Sequence, residues 1–159
     1  MRLLPMMIKR HIKELEVPVI GMGTASTFDV ETCKAVERRK VILNSCMEHG
    51  ANFIDTSPMY KRSEEVIGRA INGARNKFIL ATKVWAVGRD IGKKQIQRSF
   101  DLLNTSYIEV FQIHNLVDWK THLPFLEELK EIGRINQIGL THYSHEALPE
   151  MATIMETGR

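Results

Sequence analysis

The chain has few of the residues that mark specialised protein classes, and each shortage closes off a reading. It has two cysteines, Cys33 and Cys46, both inside one helical pattern and neither in a metal-binding or redox motif. That excludes a disulfide-stapled secreted domain and predicts a reduced, cytoplasmic chain. No apolar stretch approaches the length of a membrane span. The apolar run within Met1–Ile8 is too short, before Lys9, Arg10 and Lys13, to serve as a secretory signal. Charge of one sign is also scarce. The 22 basic and 19 acidic residues leave a formal charge of +3, spread along the sequence. The short run Glu37-Arg38-Arg39-Lys40 reads as a solvated helix face, so neither a nucleic-acid nor a membrane partner is expected. Gly21 and Gly23 are followed by no third glycine and no opening helix, so no nucleotide-binding fingerprint is present. His142 and His145 have ligand spacing but no third ligand, so no metal site is expected.

What is present is a repeated pattern. At 159 residues there is room for one domain with a real core. Five apolar runs of strand length recur, at residues 18–23, 52–55, 78–84, 108–114 and 137–140. They are nearly continuous and do not alternate, as expected for parallel strands covered on both faces. Between them lie helical patterns. Val36, Leu43, Cys46 and Met47 mark the first, stopped by Gly50. Ser63 is the expected N-cap of the second, with Glu64 and Glu65 at its positive end. Ile96, Phe100 and Leu103 mark the third, and Asn104 lies near its end. Leu126, Leu129 and Ile132, closed by Gly133, mark the fourth, and Leu148, Met151, Ile154 and Met155 the fifth. The methionines are expected mostly in the core. The fold class is therefore α/β, five βα units of about 30 residues each. Two parallel architectures fit: an open doubly wound sheet, or part of a (β/α)8 barrel. Length favours the first and the strand ends favour the second.

Functional groups collect where parallel strands end. The successive ends here are Gly23-Thr24, Asp55-Thr56-Ser57, Lys83, His114-Asn115 and Thr141-His142, with Tyr60 five residues after Asp55. Asp, Lys and His on adjacent strands with a nearby Tyr suit hydride transfer to a carbonyl, which leaves negative charge on oxygen. A tyrosine can protonate that oxygen, but its free pKa of about 10 makes it reluctant. A nearby lysine is expected to lower that value, and an aspartate to orient the lysine. A histidine would bond the carbonyl oxygen and hold the substrate. Tyr60 is thus the expected acid, Lys83 and Asp55 its tuning pair, and His114 the carbonyl anchor.

These segments resemble the aldo-keto reductase family. Gly50 through Tyr60 with Ser63-Glu64 is similar to the family's segment around its catalytic Asp and Tyr. Ala81-Thr82-Lys83-Val84 is similar to the one carrying its Lys, and Asp101-Leu102-Leu103 through His114 to the one leading to its His. Gly133-Arg134-Ile135 with Ile138-Gly139-Leu140 resembles the linker and fifth strand. The resemblance implies a (β/α)8 TIM-type barrel, here about five units within a single portion, residues 1–159. It implies NADPH, or NADH, as cofactor and reduction of small aldehydes or ketones. Gly23, Thr24, Asp55, Thr141 and His142 are the implied cofactor-binding residues, with Gly21 and Gly23 otherwise explained by close packing. Trp85 and His114 are the implied substrate-binding residues, Trp85 being a pocket wall or rim packing. Trp119 is expected to pack at a helix start. This chain has Lys61 where the family often has glycine, and Thr141-His142 where it commonly has Ser-Asn. It also stops after five units where a barrel has eight. Those last units carry most contacts to the adenosine and phosphate portions of the cofactor. An inactive fragment or pseudoenzyme and a non-catalytic interaction subunit are the alternatives, and open barrel edges predict self-association.

Overall fold

The computed structural model describes residues 7–157. A hairpin comes first: β1 (Lys9–Ile12) pairs antiparallel with β2 (Leu15–Pro18), turning at Lys13 with φ of 53°. Five strands then alternate with five helices. The strands are β3 (Met22–Gly23), β4 (Phe53–Asp55), β5 (Ile79–Val84), β6 (Ile108–His114) and β7 (Ile135–Thr141). The helices are α1 (Cys33–Glu48), α2 (Ser63–Ala70), α3 (Arg89–Leu102), α4 (Trp119–Glu131) and α5 (Leu148–Glu156).

All five strands are parallel neighbours in sequence order, β3-β4-β5-β6-β7. A doubly wound sheet reverses its order at a switch point, whereas a barrel adds each strand beside the last. Sequential order therefore decides for the barrel type. On β5 every residue from Leu80 to Val84 is buried. On β6, Phe111 and Ile113 are buried, while Gln112 and His114 share the other, half-buried face. Ile54, Ile67, Leu80, Phe100, Phe111 and Leu126 form the middle of the core between sheet and helices. Among the described residues no helix is long and apolar enough to cross a membrane.

Several local expectations are corrected. The run at residues 18–23 is not one strand. Residues up to Pro18 belong to the hairpin, whose backbone bonding extends to Val19 N donating to the Ile8 carbonyl at 3.0 Å, and only Met22 and Gly23 pair with β4. Gly21 is required by close packing, since a Cβ there would lie 2.9 Å from the Phe53 carbonyl oxygen. Ser63 is the first helical residue and not a cap; its Oγ donates instead to the Thr24 carbonyl at 3.0 Å. The capped helix is α1, where Thr32 Oγ1 accepts from Ala35 N. Ile132 lies beyond α4 and is exposed, and Met155 is exposed on α5. No described methionine is fully buried; Met22, Met47 and Met151 pack against the edge of the core. Gly50 and Gly133 adopt left-handed φ values of 80° and 72° at helix ends, as their positions predict.

Candidate active site

The C-terminal ends of β4 to β7 converge on an open depression of about 310 Å³. It is lined by Asp55, Tyr60, Lys83, Gln112, His114, Asn115, Thr141, His142 and Tyr143. Register explains the convergence: Asp55 is opposite Ala81, Lys83 opposite Gln112, and His114 opposite Thr141. A second concavity, lined by Arg75, Tyr107 and Glu109 among others, lies at the N-terminal ends of β5 and β6. Arg75 and Glu109 are already spent on each other and on backbone there, so the chemistry belongs to the C-terminal face.

Lys83 is buried, and its ammonium donates to Asp55 Oδ1 and Oδ2 at 2.7 and 2.8 Å and to the Thr56 carbonyl at 2.8 Å. All three of its protons are thereby used. Burial holds its pKa below the ordinary lysine value, with the Asp55 carboxylate opposing that shift. Gln112 Nε2 donates to Asp55 Oδ1 at 3.0 Å, so the carboxylate is held from two strands. The Lys83 ammonium lies 5.5 Å from the centre of the Tyr60 ring. The His114 ring meets Tyr60 edge-on, with centroids 6.2 Å apart and planes at 86°. Ser57 Oγ lies 3.1 Å from His114 Nδ1.

The electrostatics differ from expectation at one residue. Tyr60 has its pKa raised above 10.0, by burial first and the Asp55 charge second, rather than lowered by Lys83. The physical reason is that the lysine is neutralised by its bidentate carboxylate, and Asp55 faces the phenol as well. At neutral pH Tyr60 is a firmly protonated acid. The His114 imidazole has its pKa lowered below 6.5, chiefly by burial and then by Lys83, so it is neutral at pH 7.

The remaining residues named from sequence divide. Thr24 is fully buried, and its hydroxyl donates to the Asp55 carbonyl at 2.9 Å, fastening β3 to β4. Gly23 borders open space where a Cβ would sit. Thr141 Oγ1 accepts from Asn115 N at 3.4 Å and keeps its own proton for another partner. His142 Nδ1 accepts from Ser144 N at 2.9 Å, leaving Nε2 as its donor. Trp85 is not among the lining residues; it sits half-exposed beyond β5, its backbone bracketed by the Gln95 amide at 2.6 and 3.0 Å. Trp119 starts α4, packs against the core and donates to Glu150. Ser57, named from sequence only as part of a strand end, and Gln112 were given no role there, because their partners lie on other strands. Among the described residues no cluster of metal ligands occurs.

The model of the Aldo/keto reductase family matches residues 19–158. The chain belongs to the aldo/keto reductase family. Among similar aldo/keto reductases and oxidoreductases is YqkF of Bacillus subtilis, an uncharacterised oxidoreductase, 29% identical over 89% of this chain and 50% of its own length. D-arabinose 1-dehydrogenase of Saccharomyces cerevisiae is 31% identical over 73% of this chain and 40% of its own. The holo form of an aldo-keto reductase from Bacillus halodurans superposes with a TM-score of 0.77 at 27% identity, over 91% of this chain and 53% of that one. One from Klebsiella pneumoniae, in complex with NADPH, gives 0.75 at 27%, over 90% and 53%. The chain thus spans half or less of the length of these curated relatives, and its five parallel βα units are those of an aldo/keto reductase barrel.

Proposed function

We propose that this chain carries the reducing site of an NADPH-dependent oxidoreductase acting on small aldehydes or ketones, in a cytoplasmic setting that suits its two free thiols. The observation that carries this reading is the protonated Tyr60 phenol facing a neutral His114, with the Lys83–Asp55 pair fixed behind them. His114 Nε2 donates to the carbonyl oxygen and fixes the substrate beside Tyr60. Tyr60 gives its proton to that oxygen as negative charge grows there. Lys83, immobilised by Asp55 and the Thr56 carbonyl, offsets the Asp55 charge that faces the phenol and so limits the repulsion on the phenolate left behind. Gln112 holds Asp55 and so keeps the lysine in place.

The donors at the end of β7 fit a nicotinamide cofactor. The Thr141 hydroxyl and His142 Nε2 suit its carboxamide, and the open space at Gly23, the residue paired with Asp55, leaves room for its ribose. When bound, that cofactor supplies the hydride. NADPH is favoured over NADH because the Klebsiella pneumoniae structure is in complex with NADPH and the codeinone reductases of Papaver somniferum are NADPH-dependent. In the described residues β3 and β7 each have one strand neighbour, which favours association through these edges.

A pH profile tests the role of Tyr60. The acid form is the active one in reduction, and its pKa is raised, so turnover of an aldehyde with NADPH stays flat through neutrality and falls only above pH 10. A fall centred between pH 7 and 9 would assign the proton to another group.

A further inference from the structure

Ser57 lies between Tyr60 and His114, at a strand end the sequence marks without assigning the serine a role. It is fully buried. Its carbonyl accepts from Tyr60 N at 2.9 Å, and its Oγ accepts from Met59 N at 3.2 Å. The residue therefore folds the turn that carries Tyr60. The same Oγ lies 3.1 Å from His114 Nδ1, across 57 positions of sequence. We propose that Ser57 is a positioning residue that fixes the His114 imidazole in its Nε2–H tautomer and holds it in register with Tyr60. This rests on the reductase reading above.

The argument is one of satisfiability. A serine hydroxyl has one proton and two lone pairs. One lone pair is taken by Met59 N–H. If His114 Nδ1 carried the proton, Oγ would accept twice, and its own hydrogen would point into a buried space where no other acceptor is recorded among the described residues. Leaving a buried donor unmade is costly. If Ser57 donates to Nδ1, every group is satisfied, and Nε2–H is left as the ring's donor toward the depression. The charged and titratable groups around the ring are Lys83, Asp55 and Tyr60. Burial and Lys83 keep the ring neutral at pH 7, the state in which a tautomer choice exists. An alanine at position 57 would keep the strand end but leave both tautomers open. The serine also couples two displacements: a shift of the Met59–Tyr60 turn moves the ring that must face the same carbonyl.

Nitrogen-15 NMR of the histidine rings, without cofactor or substrate, reads the tautomer directly. The His114 signals are assigned by their loss in His114→Gln. In the wild-type chain at pH 7.5 (about one unit above the ordinary histidine value), Nδ1 should show the shift of an unprotonated nitrogen and Nε2 that of a protonated one. In Ser57→Ala both signals should move toward each other. NADPH-dependent kcat should fall roughly three- to tenfold, the equivalent of one net hydrogen bond, with KM for NADPH unchanged. A protonated Nδ1 in the wild type, or unaltered His114 shifts in Ser57→Ala, would overturn the proposal. If Ser57→Ala does not fold, the wild-type spectrum decides alone. An intact Nε2–H tautomer without any turnover would support Ser57 as the anchor of His114 while counting against the reductase reading.

Discussion

Tyr60→Phe should lower NADPH-dependent carbonyl reduction by about a hundredfold to ten-thousandfold, the span attributed to one general acid. The loss should fall on kcat, because the phenol's proton is needed only as negative charge develops on the carbonyl oxygen. Ground-state binding should be nearly unchanged. The ring that meets His114 edge-on is kept, and in the proposed mechanism it is His114 that anchors the carbonyl. The fold should also be unaffected, since the substitution removes one hydroxyl from a half-buried ring. Steady-state kinetics with a reactive aldehyde, read separately as kcat and KM, checks this. A variant that retained kcat but raised KM would make Tyr60 a binding residue and move the proton donor elsewhere.

The largest effect on stability is expected at the other end of the strands. Arg75 donates to the carboxylate of Glu109 at 2.7 and 3.2 Å, to the Phe78 and Tyr107 carbonyls at 2.8 and 2.7 Å, and to Thr105 Oγ1 at 3.1 Å. Glu109 in turn accepts from Leu80 N at 2.8 Å. One guanidinium thus joins the start of β5 to the start of β6, where both partners are largely buried. Removing one member of such a pair leaves a buried charge and several carbonyls unpaired, so Arg75→Ala should cost about 3 kcal/mol of stability. Urea denaturation of the wild type and the variant measures this. A loss below roughly 1 kcal/mol would put the pair in the class of exposed ion pairs. A side chain at the N-terminal ends of barrel strands is expected to matter for stability and not for chemistry.

Much of this was legible in the sequence because parallel strands leave continuous apolar runs, and because chemistry-bearing residues fall at the ends of those runs. Asp55, Lys83 and His114 could be placed on adjacent strands before any coordinates, and the β-α repeat of an aldo/keto reductase barrel is what the fold displays. The hairpin was hidden because Leu15-Glu16-Val17-Pro18 runs straight into the apolar residues after it; only pairing with Lys9–Ile12 separates the two. That the Thr24 hydroxyl donates to the Asp55 carbonyl could not be read from its place at a strand end. Ser57 was marked only as part of a strand end and Gln112 not at all, since each acts on a partner 57 residues away in the chain. The direction of the Tyr60 shift was missed for a related reason. Which protons of Lys83 are already spent depends on where Asp55 and the Thr56 carbonyl lie in space.

The central claim is that Tyr60 and His114 direct reduction of a carbonyl by a nicotinamide cofactor held beside them. The most direct measurement is a single-turnover reaction of this chain with NADPH deuterated at the transferable position and an aromatic aldehyde, the alcohol being read by mass spectrometry. Deuterium on the former carbonyl carbon with the wild type, and only background label with Tyr60→Phe, is the expected result. Absence of label with the wild type, or label undiminished in Tyr60→Phe, would contradict it.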